Sequence, residues 1–571
     1  MRIFLFLFVL SAFIIQLANA QIANRNDVVI DEIMADPTPQ VGLPNVEWIE
    51  LKNTSPLSVN LSGWRIIKAA TQSGTFPNFI LEPDSFVIVC TGSSVALMSP
   101  FGPAISVTNF PSLSNDGDLI YLRSNENKII NAVNYTDEWY RNELKKAGGW
   151  TLEMTDTKNP CSGSANWKAS VDTKGGTPGK INSSDAVNPD KDGPKLLKAA
   201  AINDVTLSLV FDEPLDSLRA TTSANYNISD GIGVPLTAIA VSPLFDKVNL
   251  KLTTSLVPNK IYTVTTNSIT DCAGNVIGSQ NVAKVGITSP ADSFDVVINE
   301  ILFNPDGSGV DYVEIYNRSA KIIDLKQLYI ANRNTTGVIS SIQQLSVESN
   351  LFFPGDFIVL TEDPAIVQQK YLTTNPNAFL QLRGMPSFSD DKGDVIILNM
   401  QGSIVDEVMY SDKWHFELIT NTEGVSLERI DYNAPSVQSN FHSAATSAGY
   451  GTPGYKNSQF KIDARLQGEV AITPGIFSPD NDGTDDFATI SYNFPTPGYV
   501  ANITIFDASG RPVRLLQRNA LCGVKGIFVW DGLGEKHQKL SQGIYIFFTE
   551  IFNNAGKKKQ FKNTIVLARR G

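Results

Sequence analysis

The stretch "VVIDEIMADPTPQVGLPNVEWIELKN", residues 28–53, sets two short strand-like runs on either side of a turn rich in Pro and Gly. In "EWIELKN" the residues Ile49 and Leu51 fall on one face, and Trp48 and Glu50 on the other. A period of two predicts β-strands with one face toward a core. Each run also carries a glutamate, Glu32 and Glu50. Two carboxyls on neighbouring strands have the makings of an acid/base pair, which needs a cleft and a separation of about 5–9.5 Å. The alternative is a scaffold role.

A second stretch repeats the first. "VVINEILFNPDGSGVDYVEIYN", residues 296–317, has Glu300 and Glu314 at the matching places and alternates Val313 and Ile315 against Tyr312 and Glu314. The correspondence runs on through "VNLSGWRI" (59–66) with "IDLKQLYI" (323–330), and "PDSFVIVC" (83–90) with "PGDFIVLT" (354–361). It continues through "GDLIYL" (117–122) with "GDVIIL" (393–398), and "WTLEMTD" (150–156) with "VSLERID" (425–431). It closes on "GTPGKINS" (176–183) with "GTPGYKNS" (451–458). So many ordered matches mark one unit present twice. Its blocks are short, rich in Val, Ile, Phe and Tyr, and punctuated by turn residues, the pattern of an antiparallel β-sandwich. Asn53 and Asn317 end their strands where an Asx-turn is expected.

The joint motif of paired "VVIxEI" and "EWIEL" runs with a closing "GTPGxxNS" resembles the lamin tail domain, an immunoglobulin-like sandwich common in secreted bacterial proteins. The resemblance implies strand positions for the glutamates and no catalytic role for them. Between the copies, "VTLSLVFDEPLD" (205–216) and "IYTVTTNSITDCAGNVI" (261–277) are similar to bacterial Ig-like domains of surface-layer and adhesin proteins. Asp271, Gly274 and Asn275 read as a turn there. At the C-terminal end, Trp530-Asp531-Gly532, Gly543-Ile544-Tyr545 and the basic tail "KKKQFKNTIVLARR" resemble the Ig-like fold of the flagellar hook-capping protein. They are also similar to C-terminal domains of gliding-motility and Type IX-secreted proteins of Bacteroidetes, which implies a sorting role.

The fold expected is therefore all-β, a tandem of immunoglobulin-like β-sandwiches. Residues 1–20 read as a signal peptide, 21–185 and 294–459 as the two lamin-tail units, 192–288 as the Ig-like unit and 467–571 as the C-terminal unit. In the signal, Arg2 supplies the basic start, an apolar run follows, and Ala18-Asn19-Ala20 places cleavage between Ala20 and Gln21. The apolar run is too short to favour a membrane span. Export by the Sec route to the cell surface or medium, and onward across an outer membrane, is the expected localisation.

A net charge of −12 argues against the basic surface that nucleic acid requires and disfavours anionic lipid. Export permits disulfides. Cys90 and Cys161 align with Thr361 and Ser436, so both are absent from the second copy, which predicts a bond between them. Cys272 and Cys522 are expected to be unpaired. The calcium candidate is "SPDNDGTDDF", with Asp480, Asp482, Asp485 and Asp486 around Gly483, because Ca²⁺ takes hard oxygens on a sharp turn. A plain domain-entry turn is the alternative, since no bidentate Glu follows.

His415, His442 and His537 form no H-E-x-x-H, and none lies in the first copy, so the copies share no zinc or triad site. Trp48, Trp64, Trp139, Trp150, Trp167 and Trp414 suit either a sugar-stacking platform or sandwich cores. The expected protein is non-catalytic, displays or binds a protein or glycan ligand, and meets export machinery through its last domain. The competing readings are a hydrolase-associated protein with a site in a lamin-tail unit, and a calcium-stiffened adhesin.

Overall fold

The computed structural model describes residues 23–460, 469–494, 496–553 and 558–569. The signal reading, with Ala20 and Gln21, lies outside them. The architecture is all-β, as expected. The chain forms two compact units, one of residues up to Leu256 with Tyr262–Val285, the other of Val257–Ile261 with residues from Gly286 onward.

In the first unit, a six-stranded sheet has the order Trp167–Ala169, Leu152–Met154, Val28–Met34, Trp48–Asn53, Phe86–Cys90 and Ala104–Ser106. It faces a four-stranded sheet of Ile129–Thr136, Gly117–Arg123, Arg65–Lys68 and Thr71–Gln72. The core between them gathers Ile30, Ile33, Ile49, Leu51, Trp64 and Leu122. Alternation predicts one buried face for Trp48–Asn53, yet its other face is buried too. There Met34, Trp48, Ile88, Cys90 and Met98 form a second, smaller cluster.

The second unit repeats this plan. Its six strands run Phe441–Ser443, Leu427–Arg429, Val296–Leu302, Tyr312–Asn317, Phe357–Thr361 and Phe379–Gln381, the same order by homologous position. Both first strands carry a one-residue bulge at the same place, Asp31 in one copy and Asn299 in the other. Asn53 accepts from Ser55 N at 2.9 Å and donates to the carbonyls of Leu57 and Leu81 at 2.8 Å, forming the expected Asx-turn. Asn317 does the same with Ser319, Lys321 and Phe352.

Also in the first unit, the segment after the first sandwich makes a four-stranded sheet of Leu196–Asn203, Thr206–Phe211, Lys247–Lys251 and Thr237–Val241. Tyr226–Ile228, Tyr262–Thr266 and Val282–Val285 form the sheet that accompanies it. Arg25 joins the two sandwiches of this unit, donating to the carbonyls of Leu215 and Leu244 at 3.1 Å with its guanidinium over the Phe245 ring. A Cys161–Cys272 disulfide lies beside that seam. The expected Cys90–Cys161 bond is thereby corrected. Cys90 lies inside the small cluster under Trp48 with its thiol free, and Cys272 is paired. In the second unit the last sandwich has sheets of three and five strands around Trp530, Phe547 and Ile565.

Candidate functional site

The recurring glutamates meet in a closed nest on the outer face of each six-stranded sheet. Glu32 stands opposite Glu50 on one neighbouring strand and opposite Glu153 on the other. Glu300 stands in the same way between Glu314 and Glu428. All six are completely buried. What covers them is the closing "GTPGxxNS" segment.

That segment is shaped to grip carboxylates. Pro178 and Gly179 occupy the centre of a turn closed by Lys180 N on the Thr177 carbonyl, with Gly179 at φ +78°. Pro pre-sets the first central residue of a type II turn and Gly supplies the left-handed second one. The turn aims two N–H groups inward: Thr177 N donates to Glu32 at 2.7 Å, and Gly179 N donates to Glu50. The Thr177 hydroxyl donates to Glu153 at 2.9 Å, and Thr151 donates to Glu32 at 2.6 Å. Ser184 N donates to Glu153 at 2.7 Å, and Asn182 Nδ2 pins the segment to the carbonyls of Asp31 and Met154. Gly176 leaves room for this approach, since a Cβ there would lie 2.8 Å from Glu32 Oε1.

The second copy makes the same bonds with its own residues. Thr452 N donates to Glu300 at 2.9 Å, Gly454 N to Glu314 at 2.5 Å, and Gln459 N to Glu428 at 2.8 Å. Tyr312 Oη and Ser426 Oγ add donors to Glu300. Burial, reinforced by neighbouring carboxyls, raises Glu32, Glu50 and Glu314 well above the ordinary carboxylate range. Burial and the Glu300 charge push Glu428 up to about 8. A general acid or base must reach a substrate proton; enclosed as they are, these carboxyls instead hold the closing segment. Glu153 and Glu428 complete each set, and the sequence reading of paired glutamates missed them.

The two nests differ in their ionic surroundings. Arg429 and Asp406 form a buried ion pair at 2.9 Å, with Ser436 donating to Asp406. The matching residues of the first copy are Met154 and Asn131, and Asn131 accepts Ile30 N at 3.1 Å where Asp406 accepts Ile298 N.

Of the calcium set, Asp480, Asp482 and Asp486 bring carboxyl oxygens within 4.8 Å of one another. Asp485 is not among them; its carbonyl accepts from Ser478 N. Asp486 accepts from Asn481 N at 2.6 Å and Gly483 N at 2.9 Å, as a turn does. A second acidic group, Asp190 with Glu213 and Asp271, was not foreseen. Within it Asp271 accepts from Gly274 N, Asn275 N and Asn275 Nδ2, the expected turn. Burial and the facing carboxylates push Glu213 up to about 8.

Trp48, Trp64 and Trp167 are core residues, and Trp139, Trp150 and Trp414 lean on those cores, so they make no exposed stacking platform. His415 Nδ1 lies 3.0 Å from Ser443 Oγ, and burial lowers its pKa to about 4. Among the described residues, no helix is long and apolar enough to cross a membrane.

Among solved structures, the N-terminal part of the bacterial S-layer protein SbsC matches at 19% identity over 29% of this chain with a TM-score of 0.16. This chain spans 39% of that one's length. CopC from Methylosinus trichosporium matches at 12% identity over 18% of this chain and 97% of its own, TM-score 0.13. A DUF4876 family protein from Bacteroides thetaiotaomicron matches at 11% over 45% and 99%, TM-score 0.19. No curated protein matches the chain. The Lamin Tail Domain profile matches residues 21–137 and 289–412, and the Bacterial Ig-like domain profile matches 190–287. The chain thus carries two lamin tail domain segments with a bacterial Ig-like domain between them in sequence.

Proposed function

We propose that this is an exported structural or binding protein of a Bacteroidetes-type bacterium, held at the cell surface or released. Its lamin-tail units present a protein or glycan ligand-binding surface, and residues 467–571 serve export or attachment. One observation carries the reading: in both repeats the recurring carboxyls are spent on fastening the closing segment. The Cys161–Cys272 disulfide supports an oxidising destination. Fractionation of the host, with the full chain and with residues 467–571 deleted, tests it. The expected result is surface or medium for the full chain and retention inside for the truncated one; a full chain found in the cytoplasm overturns the reading. A glycan array and a pull-down from surface extract with purified protein separate the two ligand classes.

A calcium-stiffened last sandwich is the second reading, supported by the close carboxyl oxygens of Asp480, Asp482 and Asp486. A bound ion raises apparent stability by mass action. Melting with calcium and then with EDTA should shift the transition of the second unit, which holds the last sandwich, and leave that of the first; identical curves would remove calcium from the account.

A further inference from the structure

We propose that the nest of the first repeat is a proton-dependent latch, in which Asp31 closes the nest as a neutral acid and donates its hydroxyl toward Glu50, where the second repeat uses the amide of Asn299. The two side chains occupy the same bulge of the same strand. In the second repeat Asn299 Nδ2 donates to Glu314 Oε1 at 2.6 Å and to Asn457 Oδ1 at 2.7 Å, and Asn457 Nδ2 returns a bond to Asn299 Oδ1. Both oxygens of Glu314 have a donor there, while Thr452 Oγ1 lies within reach of Glu300 Oε2 and Glu428 Oε1 and its one hydrogen serves one of them.

In the first repeat a carboxyl replaces that amide and the donor is lost. Both oxygens of Asp31, Oε1 of Glu50 and Oε2 of Glu32 are buried without a partner, and Asp31 is 1% exposed. Four buried acceptor oxygens on three neighbouring side chains thus lack a donor, and a buried acceptor calls for one. No basic side chain supplies it. Lys52, on the Glu50 strand, places its Nζ on Thr157 Oγ1 and near the Phe86 ring. Lys168, opposite Glu153, points to solvent. The other groups facing Asp31 are Glu32 on its own strand, Glu50, Glu153, and Asp185 just past the closing segment, all acidic, with neutral Asn131 from the Ile129–Thr136 strand. Nor is the nest spaced for a metal. Among the described residues, acidic ligand atoms converge within 4.8 Å only in Asp190–Glu213–Asp271 and Asp480–Asp482–Asp486. A proton needs no cavity.

Burial, together with the charges of Glu153 and Asp185 and against that of Lys52, pushes Asp31 up to about 7. When the closing segment lifts, Asp31 meets water, where an aspartic acid titrates near about 3.9, and its proton passes to bulk solvent. Between those two values Asp31 contributes the release of one proton to opening, beyond what the raised glutamates of either nest release, and that share favours opening about tenfold per pH unit as pH rises. The hold that Asp31 gives the latch is full in acid, falls away as pH rises toward the closed-state value, and is gone above it.

Hydrogen exchange on the full chain, resolved to residues 175–184 and 450–459 and expressed as protection factors, tests this across pH 5–7. The expected result is that protection at Thr177, Gly179 and Ser184 falls about tenfold more per pH unit than at Thr452, Gly454 and Gln459. Asp31→Asn should erase the difference, and Asn299→Asp should create it in the second repeat. Equal slopes in the natural protein overturn the proposal, as does an Asp31→Asn slope that stays steep. Protection restored by calcium or sodium at pH 8, where the proton is gone, would replace the proton with a cation and equally overturn it. Should Asp31→Asn fail to fold, the Asn299→Asp slope decides alone.

Discussion

Gly179 and Gly454 do the same job at unequal cost. Both have positive φ, +78° and +89°, but a Cβ on Gly179 would run into the Phe101 carbonyl, whereas one on Gly454 stops 3.0 Å from the Thr373 hydroxyl and 3.2 Å from the Asn375 carbonyl. Left-handed backbone costs an L-residue about 1–3 kcal/mol. Gly454→Ala is expected to lose about that much in urea unfolding, and Gly179→Ala more, because backbone must move. The Arg429–Asp406 pair offers a swap the protein has already made in its other repeat. Arg429→Met alone strands a buried carboxylate and should cost about 3–5 kcal/mol. Adding Asp406→Asn, which recreates Met154 with Asn131, should recover most of it, and a double-mutant cycle reads the coupling. The glutamates and the Gly-Thr-Pro-Gly run are legible in sequence as separate repeated blocks, but their contact is not. Alternation says that Glu50 faces away from Ile49 and Leu51; it is silent on what covers that face, because the covering segment has no periodicity. Glu153 joins Glu32 only through strand order, which no local pattern encodes.

Among the elements, the disulfide shows how an internal repeat misleads. The loss of Cys90 and Cys161 from the second copy fits a bond between them, but Cys161 alone needs a partner, and the neighbouring sandwich supplies it. Strand Phe86–Cys90 carries Cys90 inward, where burial pushes its thiol up to about 11. Cys522 is a buried free thiol as well, so native protein treated with iodoacetamide should be unlabelled at both. Unfolding should expose those two thiols, and only reduction should expose Cys161 and Cys272; early labelling of Cys272 would refute the pairing. By chain-entropy arithmetic, closing a loop of 111 residues contributes about 4–5 kcal/mol, less any native strain. Denaturant unfolding of the first unit, oxidised against Cys161→Ser, should differ by up to that amount. The strands themselves were readable, since short β-branched runs between Asn, Asp, Gly and Pro leave few other choices.

For the whole molecule, two compact units predict two calorimetric transitions under oxidising conditions, because each has its own cores and few covalent ties. A single sharp transition would mean coupling the cores do not account for. The Cys161–Cys272 bond also has a mechanical meaning for a chain fixed at one end and pulled at the other. Force entering at Cys161 leaves at Cys272 through sulfur, so the 111 residues of separation, the end of the first sandwich and most of the next, are spared the load even after they unfold. At about 3.3–3.6 Å per stretched residue, the tether is shorter by about 370–400 Å than the same chain reduced. Flow or traction on an oxidised molecule would lengthen it far less, and a single-molecule stretching trace should gain that missing step when a reductant is added.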